Sequence, residues 1–190
     1  MKKTLVILAG GKSKRMGTNK ALLKVGDKTL LEHMVSIFKD KFDEIYLSVN
    51  EKGNFKDLDI EITEIEDIHK GIGPMGGFHA IFSSTEVDSF FACAVDTPFV
   101  MPSAAVEMME QSENVDICAL IKEDGKTEPL FAVYNRSCFP EMEKMIAVKH
   151  YRLGELFEKS NVKYIQKYDL NKSFANLNTR EEYEEALKDL

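Results

Sequence analysis

Cysteine is scarce and scattered in this chain. Its three thiols, Cys93, Cys118 and Cys138, form no CxxC pair and show no metal-like spacing. That excludes a disulfide framework or a structural zinc site and predicts buried free thiols in a reducing cytoplasm. Long apolar runs are lacking too. No stretch approaches ~18 apolar residues, so no membrane span is expected, and the apolar N-terminal segment is too short, without a cleavage pattern, for a signal peptide. Proline is sparse at 5 residues, and 44% hydrophobic with 30% charged residues over 190 positions predicts a globular domain with a substantial core rather than a disordered chain. No internal repeat, low-complexity tract or linker interrupts it.

Acidic residues are nearly missing from one segment. The net charge is -7, yet residues 1–28 carry eight Lys/Arg against the single acid Asp27, which leaves -14 on the remainder. An acidic chain with one basic segment suits a small polyanion rather than a nucleic-acid duplex, which needs a broad basic face.

That segment contains residues 8–20, LAGGKSKRMGTNK, directly after the apolar run Thr4, Leu5, Val6, Ile7. A β-branched and aliphatic run that stops at a glycine pair reads as a buried strand opening into a glycine-rich loop. Gly10, Gly11 and Gly17 let backbone N–H groups turn toward an anion, while Lys12, Lys14, Arg15 and Lys20 supply positive charge, so a nucleotide phosphate is the natural guest. A GG loop alone is equally compatible with a surface turn. It is not a P-loop, because Val6 stands where that motif needs its first glycine.

Further along, Thr29 and Glu32 have capping-box spacing before a helix whose apolar face is Leu30, Leu31, Met34, Val35 and Phe38. His33 on that helix reads as a satisfied or surface histidine. Residues 44–50 predict a strand, 58–65 an edge strand, 75–84 a helix, 89–95 a buried strand, 103–111 a helix with Ser103 as cap, and 116–121 a strand. After the Glu128-Pro129 corner, residues 130–134 suggest an antiparallel strand; helices follow at 140–148 and 152–159, then a strand at 162–166 and a helix capped by Thr179. Strands alternating with helices predict an α/β fold: three layers, with a doubly wound, mostly parallel sheet and right-handed crossovers.

Two more segments carry chemistry. Residues 67–77, DIHKGIGPMGG, hold a literal GxGxxG at Gly71, Gly73 and Gly76, but a dinucleotide fingerprint belongs to the first strand of such a fold, which here has its own loop. Residues 94–99, AVDTPF, put Asp96 at the end of a buried strand. Ligands bind at the carboxyl ends of strands in open α/β sheets, so Asp96 and the first loop are expected in one crevice, with Asp96 a candidate Mg²⁺ ligand or, alternatively, a turn or cap residue.

Together, LAGGKSKRMGTNK, GPMGG, VDTPF and the late Asn176-Leu177-Asn178-Thr179 resemble the molybdenum cofactor guanylyltransferase (MobA) family of the nucleotidyltransferases. The resemblance is dense over residues 4–100 and thin over 101–170; Arg180 departs from a proline frequent in the family. It implies the Rossmann-like nucleotidyltransferase fold in a single domain over residues 1–190, its nucleotide half at about 1–100 and its acceptor half at about 101–190. No second P-loop is present, so fusion to the GTP-binding accessory protein of the pathway is not expected. The implied reaction moves GMP from GTP to the terminal phosphate of molybdopterin, with Mg²⁺ as cofactor and molybdoenzyme-maturation proteins as further partners.

The site the resemblance implies has Arg15, Lys20 and Asp96 as catalytic residues, Asp96 also on the metal. Leu8, Ala9, Gly10, Gly11, Lys20, Asn50, Asp67, Gly73 and Asp96 surround the nucleotide. Asn50 and the later asparagines also read as turn formers; Asn176 and Asn178 are the acceptor candidates. For the base, Asp67 can accept from guanine N1–H and N2–H while a main-chain N–H at residues 8–10 donates to O6. Adenine, with an unprotonated N1, would oppose acceptor to acceptor at a cost of about 1–3 kcal/mol. The rival readings are a cytidylyl- or other nucleotidyltransferase, and a silent nucleotide-binding regulatory module.

Overall fold

The computed structural model describes residues 2–9, 19–122 and 125–166. Its first strand, β1 (Thr4–Leu8), is buried along its whole length, as its unbroken β-branched and aliphatic run requires. The capping box then forms as the spacing predicts: the Thr29 side chain accepts from the Glu32 N–H, the Glu32 carboxylate accepts from the Thr29 N–H, and α1 (Leu30–Phe38) buries all five residues of its apolar face. Between them a 3-10 turn (Lys20–Leu22) leads into a small hairpin, β2 (Lys24–Val25) and β3 (Lys28–Thr29), whose tight loop has Gly26 at φ +61°.

The rest follows in order: β4 (Glu44–Val49), β5 (Thr63–Glu66), α2 (Pro74–Ser84), β6 (Ser89–Ala94), α3 (Pro102–Glu110), β7 (Ile117–Ile121), β8 (Thr127–Asn135), α4 (Phe139–Ala147), α5 (Leu153–Glu158) and β9 (Val162–Ile165). Seven strands make one sheet in the order β5-β4-β1-β6-β8-β7-β9. All run parallel except β8, which lies antiparallel between β6 and β7. Strand alternation sorts the core into two layers. Leu5, Ile7, Phe91, Cys93, Cys118, Leu120, Phe131 and Val133 face α1 and α3, while Val6, Leu8, Phe90, Ala92, Ile117, Ala119, Ala132 and Tyr134 face α2, α4 and α5. The result is the α/β/α sandwich the pattern predicts.

Three expectations change. Ser103 does not cap α3; Met101 holds the cap position without a side-chain bond, because Pro102 starts the helix one residue earlier. The edge strand begins at Thr63, opposite Tyr46 of β4, although Leu58, Ile60 and Ile62 do alternate inward against the core. Pro129 lies inside β8 rather than at a corner before it. There the register against β7 jumps from Ala132 opposite Ala119 to Glu128 opposite Leu120, a bulge where a residue without an N–H costs the ladder nothing. The helix expected after Thr179 lies outside the described residues.

Candidate active site

Because β5, β4, β1 and β6 are contiguous and parallel, their carboxyl ends bring Asp67, Asn50, Ala9 and Asp96 to one edge of the sheet. The main-chain ladder runs one residue past each strand: Ala9 N–H donates to Ser48 O, Asp67 N–H to Val49 O, and Val95 N–H to Leu8 O. A cleft of about 740 Å³ opens over this edge. Leu8, Ala9, Lys20, Asn50, Asp67, Gly73 and Asp96 all line it, so every expected nucleotide residue that the structure describes converges there. Gly10, Gly11, Arg15, Asn176 and Asn178 lie outside the described residues.

Lys20 enters at the start of the 3-10 turn, where the Asn19 carboxamide oxygen accepts from the Ala21 N–H and holds the turn. Its Nζ lies 2.8 Å from Asp96 Oδ2, with the two side chains 17% and 20% exposed. Asp96 is the second residue past β6, and the chain turns there because Thr97 Oγ1 and N–H both bond to Ala94 O. His33 Nε2 sits 3.3 Å from Pro98 O and ties α1 to this corner, so it is a satisfied helix histidine. Asp67 is buried and its Oδ1 accepts from Ser48 Oγ at 3.1 Å. Burial pushes the Asp67 carboxyl above the usual carboxylate range, with the Ser48 bond and the Lys70 ammonium acting against that push.

Of the glycines at residues 71–77, Gly71 and Gly73 supply positive φ, while Gly76 and Gly77 allow close packing. Gly73 takes φ +71° ahead of Pro74, and α2 then descends so close to β4 that a Cβ on Gly77 would lie 2.2 Å from Ser48 Oγ. The segment follows the edge strand β5, not β1, which removes the setting a dinucleotide fingerprint needs. Asn19, Ser48, Lys70 and Leu130 also line the cleft and escape a reading of the sequence. Ser48 alone left a signal, a hydroxyl on a strand whose neighbours Leu47 and Val49 are buried and apolar. No histidine or cysteine lines the cleft among the described residues, and all three thiols are buried elsewhere.

This cleft lies at the carboxyl edge where open α/β sheets bind ligands, and the chain has sequence relatives. A family model described as MobA-like NTP transferase domain matches residues 5–163. The chain belongs to the MobA-like NTP transferase family. It is therefore a nucleotidyltransferase. A probable molybdenum cofactor guanylyltransferase of Pelotomaculum thermopropionicum is 33% identical, covering 93% of this chain and 87% of that protein. One from Clostridium perfringens is 30% identical over 99% of this chain and 98% of the relative. Among solved structures, molybdopterin-guanine dinucleotide biosynthesis protein A from Archaeoglobus fulgidus superposes with a TM-score of 0.82 at 26% identity, covering 98% and 97% of the two chains. The MobA resemblance and the mostly parallel α/β fold read from the sequence are both borne out.

Proposed function

We propose that this MobA-like enzyme transfers GMP from GTP to the terminal phosphate of molybdopterin, releasing pyrophosphate and forming the guanine dinucleotide cofactor. The observation that carries this is the meeting of Asp67, Asn50, Lys20 and Asp96 in one cleft at the carboxyl edge. A buried carboxylate at one end can accept both guanine N–H groups, and a cation with a strand-end carboxylate at the other suits the phosphates. In the reaction an acceptor phosphate oxygen attacks the α-phosphorus, the bond to the bridging oxygen breaks, and its electron pair leaves with pyrophosphate. At neutral pH a phosphate monoester, with a second pKa near ~6, is already a dianion, so no general base is needed. The lack of histidine and cysteine among the described lining residues fits that chemistry.

The chain's own work is alignment and charge stabilisation, with Lys20, and Arg15 beyond the described residues, placed on the departing pyrophosphate. The described residues contain no group of three or more His, Cys, Asp or Glu side chains able to cage a metal ion. A single strand-end carboxylate suits Mg²⁺, which binds through one or two carboxylates plus substrate phosphates, and Asp96 would hold it. The ion supplies charge neutralisation on the phosphate oxygens. We assign the acceptor to the later half of the chain, about residues 101–190, including Asn176 and Asn178, and the nucleotide to about residues 1–100.

The test is pyrophosphate release from GTP, CTP and ATP with molybdopterin and Mg²⁺. GTP is expected to exceed the others by at least tenfold. Turnover with CTP equal to or above that with GTP overturns the guanylyl assignment in favour of cytidylyl transfer.

A further inference from the structure

Ser48 has no role in the scheme above, yet it occupies the most constrained point of the cleft wall. It is 2% exposed, near the end of β4, and its hydroxyl reaches two elements at once. On one side Oγ donates to Asp67 Oδ1 at 3.1 Å. On the other it fills the space left by the missing side chain of Gly77, where any Cβ would come within 2.2 Å. A hydroxyl enclosed in this way cannot swing away without losing its partner. Asp67 in turn has its N–H fixed on Val49 O, so both its backbone and one carboxylate oxygen are held by β4.

We propose that Ser48 is a positioning residue for nucleotide selection: its hydroxyl fixes the rotamer of the Asp67 carboxylate against α2, so that this acceptor meets the base in one orientation. The inference rests on Asp67 being the base reader. Ser48 does not touch substrate; it acts through Asp67. The charged groups acting on Asp67 are Lys70 and Glu66, both on its own chain segment, and they are joined to each other at 2.7 Å. From β4 the partner is the uncharged Ser48, which itself packs against Gly77 of α2. A hydrogen bond to an ionised carboxylate favours that form, so the Ser48 bond also keeps the acceptor charged at lower pH.

The test compares Ser48→Ala, Ser48→Cys and Asp67→Asn with the unaltered enzyme for GTP and ATP affinity by titration with Mg²⁺, and for GTP turnover across pH. Ser48→Ala is expected to cut the GTP-over-ATP preference by about tenfold and raise KM for GTP, with kcat within about threefold, a split in which binding common to the ground and transition states is lost. The acid limb of GTP affinity is expected to move to higher pH. Ser48→Cys, which keeps a weak donor on a larger atom, is expected to fall between Ser48→Ala and the unaltered enzyme, and it carries the same test should Ser48→Ala fail to fold. If Asp67→Asn collapses the preference while both Ser48 variants retain it together with the unaltered acid limb, Ser48 is structural and the inference is overturned. If Asp67→Asn also retains it, Asp67 is not the base reader, and the inference falls with that reading.

Discussion

Lys20 and Asp96 show how a single pair of residues can serve two states of a site. In the chain alone they are each other's partner at 2.8 Å, a cation and an anion held close in the cleft that, in the proposed reaction, admits the phosphates of a nucleotide. Replacing one member therefore does different things. Lys20→Ala removes a charge-assisted phosphate contact worth about 1.5–3 kcal/mol, which predicts a ten- to hundredfold loss of GTP affinity, larger than for Lys12→Ala or Lys14→Ala. Equal losses at the three lysines in parallel titrations would deny Lys20 a specific role. Asp96→Asn keeps the shape but removes the carboxylate that Lys20 balances. Metal-free GTP binding is expected to hold or tighten in this variant while Mg²⁺-dependent turnover collapses. Normal turnover of Asp96→Asn at limiting Mg²⁺ would make the residue structural.

At the scale of elements, the descent of α2 onto β4 is set by one atom that is not there. Alanine in place of glycine favours a helix by about 0.5–1 kcal/mol, but forcing extra volume into a packed contact costs about 1–3 kcal/mol. A Cβ on Gly77 would meet Ser48 Oγ at 2.2 Å and Leu8 Cδ2 at 3.1 Å, so the contact term wins. Gly77→Ala is expected to destabilise the protein by about 1–2 kcal/mol in denaturant unfolding, and less in a Ser48→Ala background, because the two positions share one space. Full additivity in that double-mutant cycle would show that the helix shifts without pressing on Ser48. This contact also marks the limit of what the sequence could tell. The capping box at Thr29 and Glu32, the buried run of β1 and the stripe of α1 are local patterns and formed as read. The strand-end position of Asp96 followed from the same periodicity plus one topological rule. What depended on pairing between separate segments was not legible: the bulge around Pro129, the late start of β5, and the use of Ser48 as a spacer between β4, Asp67 and α2 arise from partners 8 and 13, 17, and 19 residues apart respectively.

For the whole molecule the question is whether the nucleotide end and the later strands open together. The three cysteines are placed to report on it. Cys93 lies in β6, one of the cleft strands, Cys118 in β7, and Cys138 in the turn after β8 that leads to α4. All are buried, and burial pushes the Cys93 thiol far up, Cys118 to about 11 and Cys138 to about 12. The thiolate is the reactive form, so both access and ionisation hold these groups inert until the surrounding structure opens. Labelling by a thiol reagent near pH 7.5 is therefore expected to be slow and to require opening of the sheet. A ligand present at a hundred times its Kd stabilises the folded state by ~2.7 kcal/mol, about a hundredfold in the open population. Since β8 pairs with both β6 and β7, the sheet gives no seam between the cleft strands and the rest. Saturating GTP with Mg²⁺ is thus expected to slow labelling of all three thiols by a similar factor, approaching a hundredfold, although none of them lines the cleft. Protection of Cys93 with Cys118 and Cys138 unchanged, read by mass spectrometry of the labelled peptides, would instead divide the sheet at the β6–β8 pairing into units that open separately.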